Sequence, residues 1–379
     1  MIIIGKNVLT SAEMFFYTCT FFAVVSFVTQ IIFHTLINLK LAKTQTKSNE
    51  SANSETPFVS VVIAAKNEAK NLNNFLPKVL EQNYPAFEVI LVNDGSSDNT
   101  AEICVKLSKQ FNNLRIIHLK KSDGKKNALT KGILASKGEY LLFTDADCFP
   151  VSPNWINGMI NQFSEKKSIV LGYGAYNNKK DFLSNFIKYD SFLIAIQYFY
   201  AAKIGKAYMG VGRNMAYKKS VWESVNGFQE HIKIASGDDD LFVGSVANKN
   251  NVAISVNKDA FTYSIPSNTL KDFIHQKTRH ISTSIKYSSF AKVFSSIEII
   301  SRSLFYISIL CLLFSKLALL ALILASLRLI IMYFVGKKTR KIFNIHISFY
   351  YFVLFDTFAP IFYLVIFLSN KLRFNNKKW

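Results

Sequence analysis

Residues 139–147 read EYLLFTDAD, and this stretch decides the fold. Tyr140–Phe143 is a short, unbroken apolar run, the pattern of a strand buried on both faces. The run stops at Asp145-Ala146-Asp147. Alternate side chains of an extended segment point the same way, so the two carboxylates converge where the strand ends. Converging carboxylates suit a hard divalent ion such as Mg2+ or Mn2+. An isolated D-x-D pair is more often a solvated strand end. Its place at the end of a strongly apolar strand is what gives it weight.

Three further apolar runs lie upstream: FVSVVIAA (58–65), FEVILVN (87–93) and LRIIHL (114–119). Helical segments separate them, near Glu68–Glu81, Asp98–Gln110 and Lys125–Ser136. This alternation predicts an α/β fold with a mostly parallel central sheet and helices on both faces. Ligands of such sheets bind beyond the carboxyl ends of the strands, where the polar residues of this sequence collect. Glu68 closes the first run, either as an ordinary first-turn helix acid or as a ligand-facing carboxylate. Asp94 closes the second, either as a turn or cap residue or as a carboxylate free to point into the crevice and accept hydrogen bonds from a base or ribose, while Asp98 caps the next helix. Gly124 precedes a helix start bearing Lys125 and Lys126. A helix N-terminus with a lysine is a natural diphosphate site, and Lys126 reads as a surface lysine.

Two later segments carry chemistry. Asp238, Asp239 and Asp240 directly precede an apolar helical run. They read either as first-turn acids or as crowded carboxylates that raise one another's pKa, which suits a general base. Gln276, Arg279 and His280 stand at i, i+3 and i+4, on one helix face. A basic juxtamembrane helix facing lipid headgroups is the competing reading.

Hydrophobic residues make up 50% of the 379 and crowd at the two ends. Met14–Leu39 exceeds the roughly 20 apolar residues that a span requires. Basic residues follow this run rather than precede it, so it reads as an uncleaved anchor. Gln30 and His34 in it are expected to face protein or headgroups. Residues 42–56 read as a polar linker and residues 57–290 as the enzyme-like domain. Residues 291–379 hold three more apolar segments, Ile297–Phe314, Leu317–Val335 and Ile345–Ser369. Asp356 and Pro360 mark the last as the irregular one. Lys40, Lys43 and Lys47, then Lys337, Lys338, Arg340 and Lys341, flank these runs. That placement expects a multi-pass protein of the cell membrane with its middle domain in the cytoplasm. Four cysteines without metal or redox spacing fit the same reducing compartment. The net charge of +20 suits anionic lipid or a phosphorylated ligand. Nucleic acid is the weaker reading and is not expected as a partner, since the middle domain holds no dense basic cluster interleaved with aromatics and no finger or basic-helix pattern is present. A transporter is disfavoured because the spans are few and read as nearly free of charge.

Taken in order from Val59 to Tyr287, these motifs resemble the family 2 glycosyltransferases, in particular their membrane-bound branch of cellulose, chitin and hyaluronan synthases. The resemblance implies a GT-A fold and an inverting transfer from a nucleotide-diphosphate sugar, commonly a UDP-sugar, to a lipid-linked or growing glycan acceptor. It implies that Glu68 and Asp94 contact the nucleoside, Lys125 the diphosphate, and Asp145 with Asp147 the metal. Residues 210–228, GVGRNMAYKKSVWESVNGF, look like the acceptor-side segment, with Gly212, Arg213 and Asn214 near the transfer site. Gly237–Leu241 looks like the family's E-D-x-D-L, which aligns Asp238 with the catalytic base. Gln276–His280 looks like Q-x-x-R-W, with Gln276, Arg279 and His280 on the acceptor side. Gly237 stands where the family usually has an acid, so Asp238 and Asp239 both stay candidates for the base. His280 replaces the tryptophan that stacks on the acceptor sugar in processive synthases. A single-addition enzyme acting on a polyprenyl phosphate or glycolipid is therefore an alternative, as is a non-catalytic sugar-nucleotide-binding scaffold.

Overall fold

The computed structural model describes residues 3–4, 7–8, 10–44, 56–177, 179–234 and 236–375, with residues 3–4, 7–8 and 369–375 described by their backbone alone. Most of the expected linker, residues 45–55, lies outside the described residues. The chain divides into two units. One comprises residues 44–288 with 342–344, and the other residues 1–43, 289–341 and 345–379.

The terminal unit opens with a two-residue hairpin, β1 (Ile3–Ile4) and β2 (Asn7–Val8), followed by α1 (Ser11–Ala42). Thr10 and Glu13 form a reciprocal capping box at the start of α1, which satisfies two otherwise orphaned donors. The unit's other helices are α10 (Ser289–Leu313), α11 (Ala318–Ile342) and α12 (Phe349–Asn375). All four are long and apolar enough to cross a membrane. The apolar segment expected to be irregular is a continuous helix with Pro360 inside it.

The reading of nearly charge-free spans is corrected. Glu298 and Arg302 of α10, Arg328 of α11 and Asp356 of α12 are all buried. Asp356 pairs with Arg328 at 2.5 Å and with Arg302 at 3.4 Å, and Arg302 pairs with Glu298 at 3.1 Å. Gln30 of α1 accepts from Arg328 at 2.8 Å and donates to Ser301 at 2.7 Å, and Tyr306 donates to Asp356. The cluster carries two positive and two negative groups, so it compensates its own charge, as buried charges require. Gln30 and His34 face protein, His34 lying 3.2 Å from the Gln30 amide.

The other unit is built on a seven-stranded sheet in the order β11-β8-β10-β6-β3-β4-β5. Its strands and helices in chain order are β3 (Val59–Ala65), α2 (Ala69–Leu80), β4 (Phe87–Asp94), α3 (Thr100–Gln110), β5 (Leu114–Leu119), α4 (Lys125–Ala135) and β6 (Tyr140–Phe143). The strands of this half are parallel throughout. The expected strand–helix alternation is therefore found, with helix ends within about two residues of those read from the sequence. Val61, Ile63, Val89 and Leu91 pack with α2 and α3, and Ile90 and Val92 pack with Ala128 of α4. Alternate side chains thus bury both faces of the sheet. Gly132 lets α4 lie close to the strands, since a Cβ there would stand 2.6 Å from Val62.

The second half is mixed. It comprises β7 (Cys148–Pro150), α5 (Trp155–Ile160), β8 (Ile169–Leu171), β9 (Gly174–Tyr176), α6 (Phe182–Lys203), β10 (Met215–Lys218), α7 (Lys219–Glu223), α8 (Asp240–Val246), β11 (Val252–Ile254), β12 (Thr262–Ser264) and α9 (Leu270–Ser284). β10 runs antiparallel to both of its neighbours, β6 and β8. A three-stranded sheet, β7-β12-β9, continues directly from the D-x-D turn. Phe343 also belongs to this unit and is buried against Tyr173 and Phe199.

Candidate active site

The parallel strands deliver their polar ends to one edge of the sheet. β3 ends at Lys66–Glu68, where Asn67 adopts φ +57°, a left-handed conformation that asparagine tolerates. Its side chain accepts from the Ser97 N–H at 2.9 Å, joining this turn to the one after β4. Glu68 caps α2 by position, accepts from Asn71 at 2.6 Å, and has its pKa raised chiefly by burial.

Asp94 does not stand free in the crevice. Its carboxylate accepts from Ser122 Oγ at 2.9 Å, Asp123 N–H at 2.8 Å and Gly124 N–H at 3.2 Å. It therefore shapes the turn that starts α4, in which Gly124 takes φ +90°, a conformation suited to glycine.

Lys125, the first residue of α4, sits at the centre. Its ammonium lies 2.8 Å from Asp145 Oδ1 and 2.8 Å from Asp238 Oδ2. Burial works against its charge, but Asp145, Asp238 and Asp239 outweigh that and hold its pKa well above the ordinary lysine value. Burial also works against ionised Asp145, yet Lys125, with help from Arg213, holds that carboxyl below its usual range. Asp147 is pushed up, first by burial and then by Asp145. Asp145, Asp147 and Cys148 each offer one ligand atom, and these atoms lie within 4.8 Å of one another. Two carboxylates of this kind fit Mg2+ or Mn2+, and the thiol beside them adds a softer donor.

The segment before β10 meets this centre. Gly212 donates its N–H to Asp239 Oδ2 at 2.8 Å. A Cβ on Gly212 would lie within about 3.5 Å of Lys125, Asp238 and Asp239 together, so the backbone approaches all three. Arg213 stacks its guanidinium over Tyr176 at 4.4 Å, with Nη1 buried and, among the described residues, without a hydrogen-bond partner. Asn214, expected near the transfer site, is held inside the core. It is fully buried, donates to the Tyr173 and Ala260 carbonyls at 3.0 and 2.7 Å, and accepts from Trp155 Nε1 at 3.0 Å. With both ends of its amide engaged inside the core, it ties β9, β10 and α5 together.

The three adjacent acids have separate situations. Asp239 caps α8, accepting from Asp240 N–H as well as from Gly212. Burial, then Asp238 and Asp240, raise its pKa to about 7. Asp240 accepts from Thr283 Oγ1 and Tyr287 OH, both at 2.6 Å, which anchors the end of α9. Asp238 is buried and held by Lys125.

Gln276, Arg279 and His280 all lie on α9. The Gln276 amide is 3.4 Å from Tyr176 OH, and His280 is near enough to Asp145 to act on that carboxyl electrostatically. Arg279 is exposed.

Tyr176, Thr283 and Tyr287 are not legible in the sequence as parts of this site, because no spacing links them to the motifs. Lys126 is not the surface lysine expected. It is 4% exposed and donates to the carbonyls of His231, Ile234 and Ser236 at 2.5, 3.0 and 2.8 Å.

Residues 60–225 match the family described as glycosyl transferase family 2. The glycosyltransferase GlyG of Streptococcus pneumoniae is 37% identical over 132 residues, 35% of this chain and 43% of that protein. The glycosyltransferase AglE of Haloferax volcanii is 32% identical over 187 residues, 49% of this chain and 60% of that protein. The chain thus spans about half the length of these curated relatives. Among solved structures, the mannosyltransferase PcManGT from Pyrobaculum calidifontis, in complex with GDP-Man and Mn2+, aligns with a TM-score of 0.59 at 14% identity, over 91% of this chain and 98% of that one. That likeness establishes a shared GT-A-like fold.

Proposed function

We infer that this chain, whose residues 60–225 match glycosyl transferase family 2, is a metal-dependent, inverting sugar transferase of that family. Its donor is a nucleotide-diphosphate sugar, expected to be a UDP-sugar, and its acceptor a lipid-linked or growing glycan at the cytoplasmic face of the cell membrane. One observation carries the reading. The Lys125 ammonium lies 2.8 Å from Asp145 and 2.8 Å from Asp238, so one acid of the D-x-D pair and one of the triple-acid loop share a single cation.

The roles follow from the chemistry of each group. Asp145 and Asp147 would hold Mg2+ or Mn2+, and the ion, when bound, neutralises charge on the departing diphosphate. Lys125 and the N-terminus of α4 supply further positive potential to that diphosphate. Glu68 and Asp94 stand on the nucleoside side, Asp94 acting through the 122–124 turn that it shapes.

Asp238 is assigned as the base that takes the acceptor hydroxyl proton. Its neighbours favour this choice, because Asp239 is committed to capping α8 and to Gly212, and Asp240 to α9. Among the described residues, the hydrogen bonds and ion pairs of Asp238 reduce to the flexible Lys125, which can turn toward a diphosphate. Gly212, Arg213 and the α9 face of Gln276, Arg279 and His280 border the transfer site.

The test is sugar transfer by the purified full chain from a panel of UDP-sugars, with Mn2+, to membrane lipid extract. Asp145→Asn and Asp238→Asn should each abolish it. Full activity in either variant would overturn the mechanism.

A further inference from the structure

Lys126 departs from every expectation for a charged residue beside a catalytic one. An ammonium has three donors, and here all three end on backbone carbonyls of one short loop, those of His231, Ile234 and Ser236. Burying a charge costs stability unless it is fully paired. Burial accordingly lowers the Lys126 pKa, while Asp238, Asp240 and Asp239 act in the opposite direction and favour the charged form. The three carbonyl dipoles satisfy the donors of that charged form.

The loop matters because it leads straight into the base. Only Gly237 separates Ser236, the third carbonyl, from Asp238. Gly237 takes φ +94°, a region open to glycine and strained for other residues. A glycine hinge next to the base leaves its position poorly fixed unless the preceding segment is held from outside. Lys126 holds it, and its neighbour Lys125 reaches Asp238 directly. Two consecutive side chains at the start of α4 therefore grip the same acidic segment, one at its backbone and one at its carboxylate. The start of α4 is in turn fixed by Asp94, through Asp123 and Gly124.

We propose that Lys126 is a positioning residue for sugar transfer: its ammonium pins the carbonyls of His231, Ile234 and Ser236 so that Asp238 is held at the donor site. The proposal rests on the reading of Asp238 as the base. It assigns Lys126 no contact with donor, metal or acceptor.

The test compares wild type with Lys126→Met, which keeps the length and loses the charge, and with Lys126→Arg. Arg keeps a positive charge, but its planar fork does not aim three N–H groups at one tripod of carbonyls. Three quantities are read on the full chain: amide hydrogen exchange of the peptide spanning 229–239 without substrate, affinity for UDP with Mn2+, and kcat for transfer.

The clamp predicts faster exchange confined to that peptide, UDP–Mn2+ affinity within about twofold of wild type, and kcat lower by about 10- to 100-fold, since small misplacement of a reacting group has effects of that order. Lys126→Arg should fall between the other two in exchange and kcat. Unchanged exchange in Lys126→Met overturns the clamp, and so does kcat within twofold of wild type. Joint loss of UDP affinity and kcat in a folded variant also overturns it, by making Lys126 a donor-site residue. Should Lys126→Met not fold, Lys126→Arg decides on the same criteria. If wild type binds UDP–Mn2+ yet transfers nothing, the transferase reading fails, while hydrogen exchange still decides whether Lys126 holds the loop.

Discussion

Asp238 and Asp239 are adjacent in the chain and opposite in circumstance. Burial and its acidic neighbours raise Asp239 to about 7, so the folded state binds that proton more tightly than the unfolded chain does. The sign comes from linkage. Stability from this group is fully present below the ordinary aspartate range and is lost as pH rises through about 7. Asp239→Asn should therefore flatten the loss of stability between about pH 4 and 7, measured by chemical denaturation of the enzyme unit's signal. The same variant should keep transfer activity, whereas Asp238→Asn should lose it. The reverse pattern would make Asp239 the base. The sequence alone makes both acids candidates for the site and leaves the choice open, because the choice depends on Gly212 and the α8 cap, which are distant in sequence or hidden in backbone geometry. Asn214 shows the same limit. It lies in the segment expected on the acceptor side, yet its amide serves the core, and Asn214→Leu should cost about 1–3 kcal/mol by leaving buried groups unsatisfied. A thermal melt with unchanged midpoint would contradict that role.

Among the elements, the strands and helices of the first half are legible in the sequence because each is a short apolar run or an amphipathic segment with clear ends. The second half is not. α6 is buried along nearly its whole length, so it lacks the one-sided pattern that reveals a helix. β8, β9, β11 and β12 are three residues each, too short for any periodicity. The membrane-type helices are recognised by length and composition, but the pairing of their charges needs three dimensions. Arg328 and Asp356 lie on different helices and pair while buried. Removing one partner of such a pair leaves an uncompensated charge, a loss of about 3–5 kcal/mol. Arg328→Ala should accordingly lower the thermal midpoint of the detergent-solubilised protein. A joint Arg328→Met, Asp356→Leu replacement should recover much of that loss. An Arg328→Ala protein as stable as wild type would show that the cluster contributes nothing to holding these helices.

The chain joins a GT-A-like unit to a unit that, among the described residues, holds four helices long enough to cross a membrane. His280 occupies the position where the resemblance to processive synthases implies a tryptophan, so product length is the informative property. The single-addition reading expects one sugar per acceptor by mass spectrometry, and long chains from the purified enzyme would reject it. Everything proposed for the enzyme unit depends on Asp145, Asp147, Lys125 and Asp238 forming one site in which donor binding and proton removal are separable. The decisive measurement is the thermal midpoint of wild type, Asp145→Ala and Asp238→Asn with UDP-sugars in the presence of Mn2+ and of EDTA, since a ligand that binds only the folded state stabilises it by mass action. A site of this kind should give a Mn2+-dependent rise in wild type and in Asp238→Asn, and none in Asp145→Ala. A rise that survives EDTA, or one that persists in Asp145→Ala, would contradict it.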